Sequence, residues 1–269
     1  MKLISVKNAE YQIIYALKTN RVKRNQTHEV FVEGIESIKQ LLNANVEITR
    51  VIVHDEKNLS DWGKSLIAKN KSKSIQMRFD LYKELCDREE PSEVLVTAKI
   101  NPISLEDLSL PENPFILIFD RPSDYGNFGS ILRSANSFNV DAIFVIGHSI
   151  DVYDPKVIRS SLGGIFHSKI IQIESMKTLE AWIQTQKAKN NFQVIGTDST
   201  GDVSLSNIKL EKPIALVLGN EAKGMSVALK NVCDVIVSIP ISGAVNSLNV
   251  ANAASIFIWE VYKNESQSE

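Results

Sequence analysis

The fold class this 269-residue sequence predicts is α/β, with a small layered module followed by a doubly wound domain built on a mostly parallel sheet. Three observations predict it. Short runs that are apolar on both faces recur in the second half, each leading into a helical stretch, as strands of a covered parallel sheet must. The first hundred residues alternate strand and helix patterns in a set of their own. Between the two lies Asn101 to Asn113, with two prolines and scattered acids, which reads as a linker. The expected division is 1–100 for the first module, 101–113 for the linker and 114–265 for the main domain.

Composition narrows the classes. The chain is 43% hydrophobic and 23% charged, the balance of an ordinary globular protein. A formal charge of −2 provides no global basic field, so any polyanion must be met by a local patch. Cys86 and Cys233 are too few and too distant in sequence for a metal knuckle or a disulfide framework, and four histidines show no ligand spacing. No metal is expected. A reduced, cytoplasmic protein is expected, since there is no apolar signal core and no stretch near the ~20 residues that span a bilayer.

Within the first module, a helix around Glu10–Leu17 runs into Lys18, Arg21, Lys23 and Arg24, four positive side chains with no acid among them. This stretch fits either a solvated helix end or a phosphate-binding arm. A strand over Val30–Val32 precedes a helix over Gly34–Asn43 with Ile35, Ile38, Leu41 and Leu42 on one face. Ile48–His54 is a second strand, Ser60–Ala68 a helix, Ile75–Phe79 a third strand and Leu81–Asp87 a short helix. Glu93–Ile100 closes the set. No catalytic cluster is visible here, and His54 reads as a strand-end residue.

Beyond the linker, strands are expected at Phe115–Asp120, Ala142–Ile146, Lys169–Ile173, Phe192–Thr197, Ile214–Gly219 and Val235–Ile239. Helices lie between them, such as Met176–Asn190 with Leu179, Trp182 and Ile183 inward. In doubly wound sheets, ligands bind beyond the carboxyl ends of strands. Three polar turns fall there: Asp120 to Arg133, Gly219 to Ser226, and Ile239 to Val250. The last feeds a helix apolar on nearly every side, including Leu248, Val250, Ala254, Ile256, Phe257 and Trp259. Such a helix is expected to be buried all round, with Ser247 and Asn249 directed into a site. All three turns are expected to wall one pocket.

Familiar nucleotide signatures fail. Asp120 to Gly129 lacks Gly-x-Gly-x-x-Gly, and Gly219-Asn-Glu-Ala-Lys-Gly-Met-Ser226 carries Met225 where a phosphate-binding loop needs lysine. Neither a Gly-x-Ser-x-Gly elbow nor a His-Glu-x-x-His pair is present, so hydrolytic and metal chemistry are not indicated.

Three segments together resemble the signature of the SpoU/TrmH-type methyltransferases of the SPOUT class. They are Asn127-Phe-Gly-Ser-Ile-Leu-Arg133, Val217-Leu-Gly-Asn-Glu-Ala-Lys-Gly224, and Ile239-Pro-Ile-Ser-Gly243 running into Ser247-Leu-Asn-Val250. Order and spacing match across the second domain. A weaker similarity covers Val157 to Phe166, including Arg159 and Ser160. Residues 1–100, with Phe31-Val-Glu-Gly34, also resemble the RNA-binding module that precedes the catalytic domain in ribosomal-RNA members.

The resemblance implies a deep trefoil knot near the C-terminal end of the sheet, an exception to the rule against threading. It also implies a homodimer, S-adenosylmethionine as cofactor, and methylation of a ribose 2′-hydroxyl in RNA, most naturally ribosomal RNA. By position, Gly219, Asn220, Ile239 and Leu248 would contact the cofactor, largely through backbone. Arg133 would sit beside the acceptor ribose and its phosphate, and Asn127, Glu221, Ser247 and Asn249 would complete the reaction site. Lys18, Arg21, Lys23, Arg24, Arg159 and Ser160 are the candidate RNA contacts. A transferase acting on transfer RNA and a non-catalytic RNA-binding or assembly factor are the alternatives; intact Arg133 and Asn249 oppose the latter.

The chemistry is consistent with these residue types. In-line attack on a sulfonium methyl depends chiefly on holding two reactants in a near-attack pose, and the hard chemistry resides in the cofactor. A guanidinium with a pKa above ~12 costs roughly 7 kcal/mol to deprotonate at neutral pH, so positioning phosphate and polarising the hydroxyl is the less demanding role for arginine. Taken singly, Asn127 and Ser247 fit helix caps, Arg133 a solvent-facing helix residue, Glu221 a turn carboxylate and Asn249 a buried amide. Taken together at three strand ends, they point to catalysis. The chain departs from the family pattern at Tyr125, Ala222 and Asn246, none of which removes a catalytic side chain.

Overall fold

The computed structural model of the protein describes residues 1–55 and 57–266. It divides into two compact units, one made of Met1–Asn101 with Tyr153–His167, the other of Pro102–Val152 with the residues from Ser168 onward.

The first unit contains β1 (Lys2–Ile4), α1 (Ala9–Thr19), α2 (Arg21–Thr27), β2 (Glu29–Glu33), α3 (Ile35–Asn43), β3 (Ile48–Val53), α4 (Asp61–Lys69), β4 (Ser74–Met77), α5 (Phe79–Leu85) and β5 (Leu95–Lys99). Its sheet runs β1-β4-β3-β5-β2, parallel through the first three strands and antiparallel where β5 meets β3 and β2. Local chemistry sets the helix starts. Asn8 accepts from Tyr11 N at 3.0 Å and Ser60 from Gly63 N at 3.1 Å, satisfying N–H groups that a helix leaves unpaired. Ile14, Leu17, Phe31, Ile52, Tyr82 and Leu95 meet in the core.

The basic stretch is not an arm. It folds as the end of α1 and the short helix α2, and Arg24 is only 2% exposed. Its Nη1 donates to Leu17 O at 2.7 Å and Lys18 O at 3.0 Å, carbonyls that the end of α1 leaves free, and Nη2 donates to Asp154. Arg24 therefore ties α1 down from inside, and its assignment as an RNA contact is corrected. Lys18 pairs with Asp87 at 2.8 Å and donates to Glu84 O.

In the second unit, β6 (Phe115–Asp120) leads to α6 (Tyr125–Ser137) and β7 (Ala142–Ile146). After α7 (Pro155–Ser160), which packs in the first unit, come β8 (Ile170–Ile173), α8 (Met176–Lys189), β9 (Gln193–Thr197), β10 (Val203–Ser204), β11 (Ile214–Leu218), α9 (Val227–Val232), β12 (Val235–Ser238) and α10 (Val250–Ser266). The seven strands are ordered β10-β12-β9-β11-β6-β7-β8, and every pairing is parallel. The expected doubly wound sheet is present. β6 and β11 at its centre are buried along their whole length, which is why they read as unbroken apolar runs. Leu105, Leu108 and Leu110, from the stretch read as a linker, pack against this unit's core.

α10 departs from expectation. Ala251, Ala254, Phe257, Ile258 and Val261 are buried, but Ile256 is 38% and Trp259 46% exposed. The helix has an inner stripe and a separate outer apolar stripe, which a count of apolar residues merges into one. Phe138, Trp259 and Tyr262 pack edge-on and tilted against one another beside that outer stripe, with centroid separations of 5.3–5.8 Å. Among the described residues, no helix is long and apolar enough to cross a membrane.

Candidate active site

The site assembles at the carboxyl ends of β6, β9, β11 and β12. After β11 the chain makes a tight loop closed by reciprocal backbone hydrogen bonds between Asn220 and Gly224, at 3.1 and 2.9 Å. Asn220 Oδ1 reinforces it by accepting from Ala222 N and Lys223 N. Gly219 is required by close approach: a Cβ there would lie 2.5 Å from Met225 N and 2.6 Å from Gly224 C. Ala222 lies outside the set of residues with positive φ, so glycine's freedom is not needed at that departure from the family pattern. Met225, which blocks the phosphate-loop reading, is buried in the core.

This loop tethers the first turn. Glu221 accepts from Ser123 Oγ at 2.6 Å, Ser123 N at 3.1 Å and Asp124 N at 3.2 Å. Asn220 Nδ2 donates to Arg121 O at 2.7 Å. Below them, buried Asp120 accepts from Ser226 N at 2.7 Å and from Arg121 through two hydrogen bonds of 2.8 Å. Those bonds raise the Arg121 pKa and hold its charge. The turns after β6 and β11 thus form one hydrogen-bonded body.

The third turn closes on the first. Asn249 Nδ2 donates to Asn127 Oδ1 at 2.9 Å, while Asn249 Oδ1 accepts from Ala251 N at 2.8 Å. Asn249 therefore caps α10, and Asp124 caps α6 by accepting from Asn127 N at 2.7 Å. Neither Asn127 nor Ser247 holds the capping role that each fits in isolation. α6 and α10 are joined further along by a Ser134–Ser255 hydroxyl contact of 2.7 Å.

A cleft of about 250 Å³ opens between the second and third turns. Gly219, Asn220, Glu221, Ile239, Ser247 and Leu248, all singled out from sequence, line it. The first turn does not line it; it braces the cleft through Glu221 and Asn249, so the expectation that all three turns wall one pocket is corrected. Arg133 lies on the exposed side of α6, about 9 Å along the axis from Asn127 at the α-helical rise. Its guanidinium has no hydrogen bond or ion pair among the described residues.

Two parts of the wall were not read from sequence. Thr197 at the end of β9 and Asp198 and Ser199 just after it line the cleft, and Ala253 and Phe257 of α10 supply an apolar side. The signal for the former is the polar run Thr197-Asp-Ser-Thr-Gly201 after an apolar strand, the same pattern that marked the other turns. Burial alone would raise the Asp198 carboxyl, but the Lys230 ion pair at 2.8 Å and the Thr200 N–H and hydroxyl outweigh it and hold it below the usual carboxylate range.

The cleft fits S-adenosylmethionine on the chemistry of its donors. A fixed backbone loop and two carboxylates face apolar Ile239, Leu248 and Phe257, which suits a ligand with a flat apolar ring, hydroxyls and a cationic centre. Among the described residues no cluster of His, Cys, Asp or Glu is placed to hold a metal.

In the first unit, Arg159 pairs with Asp87 at 3.0 Å and approaches Glu33 at 3.6 Å, and the Ser160 hydroxyl donates to Lys156 O. Arg21 is exposed and Lys23 half-buried on α2. None of them is among the residues that line the cleft.

Residues 114–259 match the sequence profile of the SpoU rRNA Methylase family, and residues 8–97 match the SpoU L30e-like domain. The chain is 33% identical over 262 residues to the 23S rRNA (uridine(2479)-2′-O)-methyltransferase of Streptomyces viridochromogenes, covering 97% of this chain and 91% of that one. Its fold superposes on the crystal structure of the SpoU methyltransferase AviRb from the same organism, in complex with AdoMet, with a TM-score of 0.89, 33% identity and coverage of 96% and 98%. An rRNA methyltransferase from Sinorhizobium meliloti, 24% identical with a TM-score of 0.82 over 96% of both chains, shares the fold.

Proposed function

The chain belongs to the SpoU rRNA Methylase family, and from that premise we propose how this S-adenosylmethionine-dependent RNA 2′-O-methyltransferase performs its transfer: the cleft holds the cofactor, and the edge marked by Asn127 and Asn249 receives the acceptor ribose. The observation that carries this assignment is the Asn249–Asn127 hydrogen bond, which sets one side of the cleft against the first turn of α6.

When bound, S-adenosylmethionine supplies a sulfonium methyl group to an oxygen nucleophile. Gly219 and Asn220 present backbone to it, and Ile239 and Leu248 enclose its apolar part. Glu221 keeps the β6 turn fixed, so the acceptor edge and the cofactor cleft hold a constant separation; that constancy is the main catalytic contribution. Ser247 and Asn249 orient the ribose hydroxyl. Arg133, exposed on α6, takes the adjoining phosphate and polarises the hydroxyl, whose proton passes to solvent water as the oxygen accepts the methyl group.

Ribosomal RNA is the acceptor we assign, supported by similarity to the Streptomyces viridochromogenes enzyme that extends through both units. The first unit, residues 1–100, serves as the RNA-binding module, and 114–265 as the catalytic domain. Arg21, Lys23 and Arg159 contribute phosphate contacts, so binding weakens as salt rises. We place the trefoil knot in the path from β12 through residues 239–249 into α10. Exposed Ile256 and Trp259 support a homodimer that covers the outer stripe of α10. A cytoplasmic location follows from the RNA substrate.

The test is transfer of labelled methyl from S-adenosylmethionine to unmodified ribosomal and transfer RNA transcripts, with the modified nucleotide mapped. Label in a single ribosomal position is expected; label confined to transfer RNA would overturn the acceptor assignment.

A further inference from the structure

A second cavity, of about 620 Å³, lies entirely within the first unit. Its electrostatics are unlike a phosphate trap. Four carboxylates, of Glu33, Glu36, Glu90 and Glu93, line it against two guanidiniums, of Arg88 and Arg159. Glu93 is occupied by Ser60 N and Oγ at 2.8 and 2.7 Å, and Glu36 by Gln40 at 3.0 Å. Glu33 is different. Its side chain is 2% exposed; Oε2 accepts from Asp87 N at 3.0 Å, and Oε1 has no hydrogen-bond partner. A buried acceptor without a donor is destabilising by the desolvation it suffers, and such groups are few in native proteins.

The apolar lining is equally unusual. Ile35 and Leu162 line the same cavity with 40% and 42% of their surface exposed. Leu162 has φ 52°, a left-handed conformation that is strained for a branched side chain. Gly34, next to Ile35 and at φ 105°, has open space where a Cβ would stand, and it leaves the start of α3 without a capping side chain. The walls therefore offer two aliphatic faces, a bare stretch of backbone and two guanidiniums, with one unpaired carboxylate oxygen buried behind them.

We propose that this cavity takes an unstacked nucleobase of the RNA substrate, with guanine preferred, the base lying between Ile35 and Leu162 and its N–H edge meeting Glu33. An ionised carboxylate only accepts hydrogen bonds. Guanine's pairing edge presents two adjacent N–H donors, whereas adenine and uracil place acceptors beside their single donors and meet repulsion. Exposed Arg88 and Glu90 are the side chains that give way as the base enters, and Arg159 stacks on it or takes its phosphate. The assignment rests on the RNA-methyltransferase reading for its source of guanine, and its site is separate from the cofactor cleft.

The test uses the full chain with labelled Ile and Leu methyl groups and labelled backbone amides, the latter to report on Gly34. GMP, AMP, CMP, UMP and inorganic phosphate are titrated in turn while the Ile35, Leu162 and Gly34 resonances are followed. GMP is expected to shift all three saturably and to bind about tenfold more tightly than AMP or UMP, the discrimination typical of one paired base edge. Equal response to all four nucleotides, reproduction by phosphate alone, or no shift would each overturn the proposal. Glu33→Gln should erase the GMP preference. Leu162→Gly, which relieves the left-handed strain and so keeps the fold, should weaken GMP binding independently. A single-stranded oligouridine carrying one guanosine should bind more tightly than all-uridine RNA. If the site takes GMP but not that oligonucleotide, the RNA assignment fails. Titration with S-adenosylmethionine and labelled methyl transfer on the same material separate the two readings: transfer without GMP shifts removes the base site alone, and GMP shifts without transfer remove the transferase reading alone.

Discussion

Asn249 donates to Asn127 at 2.9 Å across 122 residues of chain, and the same side chain caps α10 through its oxygen. One amide thus performs two separable jobs. Asn249→Ala loses both and should cost about 1 kcal/mol of stability from the lost cap. Asn249→Asp keeps the cap acceptor but sets a carboxylate against the Asn127 oxygen. It should melt near the wild type yet transfer methyl about 100-fold more slowly, as expected when reacting groups are misplaced by about an ångström. Denaturant melts and single-turnover assays on both variants check this; wild-type turnover in Asn249→Asp would remove the Asn127 contact from the mechanism.

Gly219 leaves no room for a side chain. A Cβ would press on the backbone of Gly224 and Met225, which cannot move aside as a flexible side chain can. Gly219→Ala should lower stability by about 1–3 kcal/mol and abolish measurable S-adenosylmethionine binding by calorimetry. Retained affinity would show that the loop closed by Asn220 and Gly224 is not part of the cofactor wall.

Arg133 is exposed and unpaired among the described residues, so its removal should not disturb the fold. Arg133→Ala is expected to change stability by no more than about 0.5 kcal/mol. Turnover should fall at least ~100-fold, the scale of losing one preorganised charge contact, and cofactor affinity should hold. Unchanged turnover would refute the role assigned to it.

Asp198 provides a pH signature. Its folded pKa is held below the unfolded value of about 3.9. Its contribution is therefore fully present above that value and lost as pH falls through the folded pKa. Urea melts of wild type and Asp198→Asn should differ at pH 7, and the gap should close below about pH 4. A gap that persists at the acid end would assign its effect to packing rather than to the Lys230 pair.

Much of the architecture was legible because strands of a covered parallel sheet are apolar on both faces, as β6 and β11 are, and because polar turns at their ends interrupt that pattern. The turns that carry Gly219, Ile239 and Leu248 were found that way, while the place of these three residues at the cofactor came from the resemblance to the SpoU/TrmH-type family. What escaped notice has physical reasons. β1 and β10, of three and two residues, are too short to show a period. Arg24 looked like a surface cation, since a charge pattern does not reveal which carbonyls lie within reach of a guanidinium. Asp124 and Asn249 compete with Asn127 and Ser247 for the caps, and only the backbone path decides between neighbours. Asp198 was legible in principle, as the first acid after β9, yet a polar run containing Gly201 reads equally well as an ordinary turn.

The central claim is that the methyl group goes to a sugar oxygen. Alkaline hydrolysis of RNA labelled by this protein tests it most directly, because a 2′-O-methyl group blocks the attack that cleaves the adjoining phosphodiester. Label recovered in alkali-stable dinucleotides is the outcome expected from the Asn127–Asn249 edge and the cleft beside it; label released as mononucleotides would mean methylation of a base and would contradict it.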